Sequence, residues 1–437
     1  MKPVANMQNK ISKPKRIEIF SWAMFDFANS GYTTVVLTAV FNTYFVGVVA
    51  AGGESGAATF LWTITTAIAN IVVLISAPLI GAMVDQTASK KRFLFVATLS
   101  CVLATACLYF VGPGDVVLAM TLIIIANIMF YTGENLISAF LPEITTPEKM
   151  GRISAMGWTL GYLGGMLTLV LCLAYINSAT SRGETAAQFV PASMLIVAVV
   201  FALAAAPTFI WLKERAQAKP ATSEGNLVRQ AYRRLKQTFE HARSFQDLFR
   251  FLITLTVFHS GIMTVIVLAA IYAQEEMGFT TEDTIKLILI VNVSAAVGAA
   301  LFGFIQDKIG SKKTLMTTLI LWIISMVYLF QLDDRFSFWI AANLIGIALG
   351  SSQSAGRAMI GLFSPVERCG EFFGLWGLAT KLAAVCGPLC YGFITYVTAG
   401  NHRIALLSTT VFFFLGLILL LTVNESRGIK AAHGETD

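Results

Sequence analysis

Gly81-Ala82-Met83-Val84-Asp85-Gln86-Thr87-Ala88-Ser89-Lys90-Lys91 returns as Gly303-Phe304-Ile305-Gln306-Asp307-Lys308-Ile309-Gly310-Ser311-Lys312-Lys313, with the glycine, the aspartate and both lysines each 222 residues apart. A single copy of such a pattern is weak evidence, but two copies after the second apolar run of each half imply a duplication. Each residue type has a physical use. The glycine lets two membrane helices approach closely, and the aspartate can accept hydrogen bonds from the amino terminus of a neighbouring helix. The lysines can pair across the loop or with lipid phosphate. Gly81, Asp85, Lys90 and Lys91, with Gly303, Asp307, Lys312 and Lys313, are therefore expected to latch a gate at one membrane face.

The surroundings of the two loops set the class of protein. Of 437 residues, 56% are hydrophobic and 13% charged, with a mean hydropathy of +0.72. A soluble domain carries about 25% charged residues, so an ordinary globular enzyme is excluded. The charge is confined to short blocks between apolar runs of about 20 residues, the length that crosses a bilayer. The pattern is that of an all-α polytopic membrane protein with twelve transmembrane helices in two six-helix halves. The spans fall near 20–48, 58–84, 92–112, 116–140, 152–177 and 189–212, then 251–273, 285–306, 313–331, 336–363, 371–398 and 403–423. This divides the chain into a basic terminus 1–19, a first half 20–212, a central connection 213–250, a second half 251–423 and a tail 424–437.

Orientation follows from lysine and arginine. Placing both termini in the cytoplasm puts 25 of the 31 basic residues on that side and four outside, Arg182, Lys286, Arg335 and Arg403. The positive-inside rule then accounts for the net charge of +6 without a nucleic-acid partner. Lys10 to Arg16 leads straight into a full-length span, as a start-transfer anchor does. Within the central connection Val228, Tyr232, Leu235 and Phe239 recur at helical spacing among Arg229, Arg233, Lys236 and Arg243. This predicts a basic amphipathic helix on the inner membrane surface. An integral protein of a bacterial inner membrane, working as a monomer, is expected. The six cysteines are scattered and show no metal-ligand spacing, so no metal or cofactor is expected.

A second, looser echo joins the halves: Asn29-Ser30-Gly31 returns as His259-Ser260-Gly261. Duplicated six-span halves joined by a basic loop resemble the major facilitator superfamily, which implies a substrate site between the halves near the midplane. Gln86 and Ala88 depart from that superfamily's loop pattern, whereas Lys308 and Gly310 fit it. More closely, Trp22 to Tyr44, Leu141 to Glu148 with Gly151 to Gly165, and Gly350 to Arg357 with Glu371 to Trp376 resemble the UMF1 group, which includes the Atg22-like vacuolar effluxers. The resemblance implies a solute transporter, and the vacuolar members are similar to amino-acid exporters. One departure is His259-Ser260, where relatives often carry asparagine and aspartate.

Charges inside the spans are the candidates for mechanism. Asp26 shares a helix face with Asn29, Ser30 and Thr33. A carboxylate in a membrane helix costs about 2.5–3.5 kcal/mol, so this face should border protein or water. Glu134, beside Asn135, is the other carboxylate within the spans of the first half; either acid can carry a coupling proton or serve a structural pair. Arg357 and Lys381 are the intramembrane cations. Either can bind an anionic group of the substrate, or Arg357 and Glu134 neutralise one another across the two halves. His259 is a titratable group or a hydrogen-bonded core residue. Trp158, Tyr162, Asn292, Asn343, Gln353 and Trp376 are expected to line a cavity. The glycine run of the fifth span, Gly157 to Gly165, reads as close helix packing.

Nothing resembles catalysis or a P-loop, so neither an enzyme nor an ATP-driven pump is expected. The expected function is secondary active transport by alternating access, proton-linked, of a small polar or amphiphilic solute such as an amino acid. The alternatives are an exporter of drug-like or metal-chelating compounds, and a membrane sensor or lipid scramblase on the same scaffold.

Overall fold

The computed structural model describes residues 14–51, 56–216, 227–240, 242–332, 334–398 and 401–434. Most of the basic terminus, part of the central connection and the last three residues lie outside that set. The first half contains α1 (Arg16–Gly31), α2 (Ala57–Thr87), α3 (Lys90–Cys107), α4 (Val116–Ser138), α5 (Met150–Ser181) and α6 (Ala186–Trp211). The connection folds as α7 (Leu227–Glu240). The second half contains α8 (Gln246–Met277), α9 (Thr281–Ile309), α10 (Ser311–Phe330), α11 (Arg335–Phe363), α12 (Cys369–Val397) and α13 (His402–Leu421), and α14 (Glu425–His433) follows.

Among the described residues, eleven helices are long and apolar enough to cross a membrane. The remaining long helix, α11, is as long but carries Ser351, Ser352, Gln353, Ser354 and Arg357 in its second half. Those polar residues are mostly buried, so the composition of α11 is set by what it packs against.

The helices pack in the same pattern twice. In the first half α1 lies on α5 and α6, α2 on α4, and α3 on α4 and α6; in the second, α8 lies on α12 and α13, α9 on α11, and α10 on α11 and α13. The halves meet through reciprocal pairs, α2 with α12 and α9 with α5. Close approach of α2 to α12 depends on Gly81, since a Cβ there would fall on the Gly370 carbonyl. This is the two-fold repeated architecture of a major facilitator.

Past Gly31 the first span widens. Tyr32–Ala39 forms i→i+5 turns, with Val40 N–H donating to Val35 O at 2.9 Å. The run Thr33-Thr34-Val35-Val36 is β-branched, and the Thr33 and Thr38 hydroxyls donate to the Ser30 and Thr33 carbonyls at 3.0 and 2.9 Å. Crowded side chains and competing hydroxyl bonds both loosen regular α-turns, and wide turns of this kind recur beside functional sites.

One expectation is corrected. The constant offset of 222 does not survive through the lysines. The first loop holds two residues between helices, Ala88 and Ser89, and the second only Gly310. The Lys90 and Lys91 amides donate to Glu214, and the Ser311 and Lys312 amides to Glu425. The Lys91 ammonium reaches Leu212 O at 2.6 Å, and that of Lys312 reaches Leu421 O at 3.0 Å. Lys91 therefore matches Lys312, and the buried Lys90 matches Ser311. Ala88 takes a left-handed φ of 46°, where Gly310 has φ 90°.

The helix expected in the central connection is α7, and its stripe Val228–Tyr232–Leu235 is not the face turned to the protein: Val228 and Tyr232 are exposed, and the Phe239 side chain lies outside the described set. Ala231 and Thr238 are buried instead, with Arg234 beside them.

Candidate functional site

Among the described residues the two halves share a buried ion pair, toward the end of the bundle where α5 begins and α11 ends. Arg357 of α11 donates from Nη1 to Asp26 Oδ2 of α1 at 2.7 Å, from Nε to Ser154 Oγ at 3.2 Å and from Nη2 to Ser154 O at 2.8 Å. Ser154 of α5 in turn donates to Ser354 O at 2.8 Å. The guanidinium lies between two indoles, 4.9 Å from the Trp22 ring and 5.3 Å from that of Trp158. Stacking on aromatic faces suits a planar, weakly hydrated cation removed from water. Gly157 makes the room: a Cβ there would fall on the Asp26 carboxylate and on Arg357 Nη2. The glycine run of α5 thus serves close packing, and at Gly157 it also admits a charge. The pairing of Arg357 with Glu134 offered by pseudo-symmetry is not what forms. Asp26, on the helix packed against α5, reaches the guanidinium first.

Glu134 is half-buried on α4 and feels the charge of Lys381 most, then those of Asp26 and Arg357. No hydrogen bond or ion pair joins it to Lys381 among the described residues. The Lys381 ammonium sits over the Tyr131 ring, 2.7 Å from its centroid. His259 is buried on α8 and also feels Lys381. Asn135 packs against Gly377 of α12, and Trp376 lies edge-on to Phe373 at 5.9 Å. Two carboxylates and two cations thus occupy one layer between the halves.

Three polar atoms around the pair are buried without a partner among the described residues: Trp158 Nε1, Tyr162 Oη and Ser354 Oγ. The Trp158 and Tyr162 rings lie 5.9 Å apart, and Tyr162 feels the charge of Arg357. An orphaned buried donor costs about 1–3 kcal/mol. Asn29 is buried on the same α1 face as Asp26, and Gln353 is half-buried on α11. Asn292 and Asn343 are spent locally, on Ile288 O and on Trp339 O and Ser294.

The duplicated loops lie at the end of the bundle that carries both chain termini. Asp85 accepts from the Gly370 and Glu371 amides, at 2.9 and 2.8 Å, and so caps α12 of the other half. Asp307 accepts from the Arg152 amide at 3.1 Å, and so caps α5 of the other half. Gly303 packs its helix against Ala155. The first loop is the more heavily tied. Lys90, fully buried, binds Glu143 and lies 3.8 Å from Asp85, and Glu143 also accepts from the Arg215 amide at 2.9 Å. Arg215 in turn pairs with Glu18 at 2.6 Å. Around Asp307 the ion pair is longer, 3.7 Å to a half-exposed Arg152. Lys313 is exposed.

Sequence reasoning missed Trp22, Ser154 and Tyr131. Tyr131 stands one turn before Glu134 and could have been found by that spacing. Nothing in a single sequence marks Ser154 as the partner of an arginine 203 residues away.

A duplicated bundle with buried charges between its halves and reciprocal aspartate caps at one end has the build of a membrane transporter of the major facilitator type. The solved proton:xylose symporter XylE superposes with a TM-score of 0.74 at 16% identity, over 95% of this chain and 98% of that one. The human organic anion transporter MFSD10 superposes with a TM-score of 0.69 at 14% identity, over 94% and 100%. Within that fold the chain belongs to the family described as vacuole effluxer Atg22 like, which it matches over residues 14–433. It is 27% identical over 423 residues to the uncharacterized MFS-type transporter YxiO of Bacillus subtilis, covering 95% of this chain and 97% of that protein. It is 24% identical over 335 residues to autophagy-related protein 22 of Yarrowia lipolytica, covering 69% and 56%.

Proposed function

We propose that this chain is a proton-linked secondary transporter that moves a small zwitterionic or amphiphilic solute, with amino acids the leading class, by alternating access. The observation that carries this reading is the Asp26–Arg357 pair with its unpartnered neighbours. Arg357 has N–H groups left over after its bonds to Asp26 and Ser154. With the Trp158 N–H and the Tyr162 hydroxyl, they offer a carboxylate several donors in one place. Glu134 offers an ammonium its counter-charge. Asp26, Arg357, Glu134 and Lys381 sum to zero, so a zwitterion enters without adding net charge to a low-dielectric layer. A lone anion adds one and needs a proton with it.

Protonation of Asp26 would weaken its hold on Arg357 and free the guanidinium for substrate, which links the proton to the solute. On this reading the two latches are a gate on the cytoplasmic side, the side the positive-inside rule favours for both termini, and their closure is the outward-facing state. The family's effluxer description makes movement out of the cytoplasm the direction to test first.

The test is purified protein in liposomes with an imposed pH gradient and a panel of labelled amino acids. Gradient-driven accumulation that Arg357→Ala abolishes is the expected result. Gradient-independent movement, or normal rates in Arg357→Ala, overturns the reading.

A further inference from the structure

The connecting helix α7 divides into three sectors around its axis. One faces the gate. Arg234 donates to the Glu371 carboxylate at 3.1 Å and to Glu367 O at 2.9 Å, and the Thr238 hydroxyl binds the same carboxylate. Glu371 is fully buried, takes Arg368 as well at 3.0 Å, and its own amide is one of the two that Asp85 caps. The gate-facing sector of α7 therefore holds the residue on which the first latch closes. No equivalent helix braces the Asp307 latch among the described residues.

The other two sectors face away from the protein. Val228 and Tyr232 form an exposed apolar flank, with Tyr232 64% exposed. Arg229, Arg233 and Lys236 form an exposed basic face beside it. α7 sits against the end of α2, a helix long and apolar enough to cross a membrane, so a bilayer around α2 would bring its headgroups to α7. An apolar flank adjoining a cationic face at that depth matches the interface of a bilayer with anionic lipid, where each basic residue is attracted and a tyrosine is at home.

We propose that α7 is a lipid-reading clamp: anionic phospholipid headgroups of the surrounding bilayer bind its Arg229–Arg233–Lys236 face and thereby press Arg234 and Thr238 onto Glu371, keeping the gate closed. The proposal rests on reading the Asp85 end as a gate. It adds a partner, anionic lipid, and a direction: more anionic lipid means slower opening. Charge complementarity decides between occupants, since the basic face and the apolar flank lie side by side on one short helix. An acidic soluble protein would use the first and leave the second bare.

The molecule carries its own reporter. Cys369, at the start of α12, is fully buried beside Asp85 and Lys90 and becomes accessible only if this end opens. The experiment uses full-length protein with the other five cysteines replaced by serine, in nanodiscs of phosphatidylcholine alone or with about a third phosphatidylglycerol, and follows maleimide labelling of Cys369. Anionic lipid is expected to slow labelling about tenfold at low salt, with the difference shrinking at high salt. Arg229→Gln, Arg233→Gln and Lys236→Gln together should erase the lipid dependence. Arg234→Ala with Thr238→Ala should label fast in both lipids. Equal rates in the two lipids, negligible labelling in both, or lipid dependence that persists in the triple glutamine variant each overturns the proposal. None of these results bears on which solute is carried, so transport that remains Arg357-dependent would leave the proposed function standing.

Discussion

Arg357 and Asp26 lie 331 residues apart, in opposite halves of a duplicated chain, and their side chains meet at 2.7 Å between two tryptophans. A buried ion pair contributes little net stability, because desolvation offsets attraction, but losing one partner strands the other and costs about 3–5 kcal/mol. Arg357→Ala should therefore lower thermal stability as well as stop transport. Asp26→Asn combined with Arg357→Gln replaces the charges by a neutral hydrogen-bonded pair. That variant should regain most of the stability and none of the transport. Melting curves and liposome uptake on the same preparations separate the two effects.

Asp26→Asn alone keeps the shape and one acceptor but cannot release a proton. Transport by this variant should lose its pH dependence while some exchange of solute persists. The measurement is uptake across a pH series at fixed solute gradient; a pH profile like that of the unaltered protein makes Asp26 structural.

Gly157→Ala should be among the most damaging conservative changes. Its methyl would occupy the position of the Asp26 carboxylate and Arg357 Nη2, and overpacking of this kind costs about 1–3 kcal/mol. Because the displaced atoms belong to the ion pair, transport should fall further than stability does. Gly165→Ala, which meets the Thr34 hydroxyl instead, is the matched comparison.

The two latches should not be equal. Asp85→Asn leaves the buried Lys90 with Glu143 alone and weakens the cap on α12, whereas Asp307→Asn disturbs a pair that is already half-exposed. Cysteine accessibility at the terminal-bearing end should rise several-fold more in Asp85→Asn, in line with about 1–2 kcal/mol against a few tenths for an exposed pair.

Ala88 offers a test in the stabilising direction. A left-handed alanine costs roughly 1–2 kcal/mol relative to its relaxed conformation, a cost glycine does not incur. Ala88→Gly should leave transport intact and raise the melting temperature slightly, since glycine's greater unfolded-state freedom takes back part of the gain.

The long apolar runs, the duplication and the glycines of α5 were legible because bilayer length, repeated motifs and close packing are each local properties of sequence. So was the expense of Asp26. Its partner was not, for a physical reason. Pseudo-symmetry places Glu134 and Arg357 at matching positions, but α1 packs on α5 and so delivers Asp26 to the guanidinium, and packing order is not written in spacing. The seat of α7 on the protein was not legible either: its docked face is Ala231, Arg234 and Thr238, chosen by the buried Glu371 it satisfies, a partner more than 130 residues away. The extra residue beside Ala88 was invisible because the two lysine pairs align without a gap.

That extra residue has a consequence for exchange between the halves. A chimera that replaces Gly81–Lys91 by Gly303–Lys312, matching the loops by the lysine that reaches a helix-end carbonyl, would look conservative, since it keeps the glycine, the aspartate and that lysine. It would also shorten the connection by one position, put a serine where the Lys90 ammonium now lies, and leave the buried Glu143 without its cation. The halves began as copies, and at this corner they have become parts that no longer interchange.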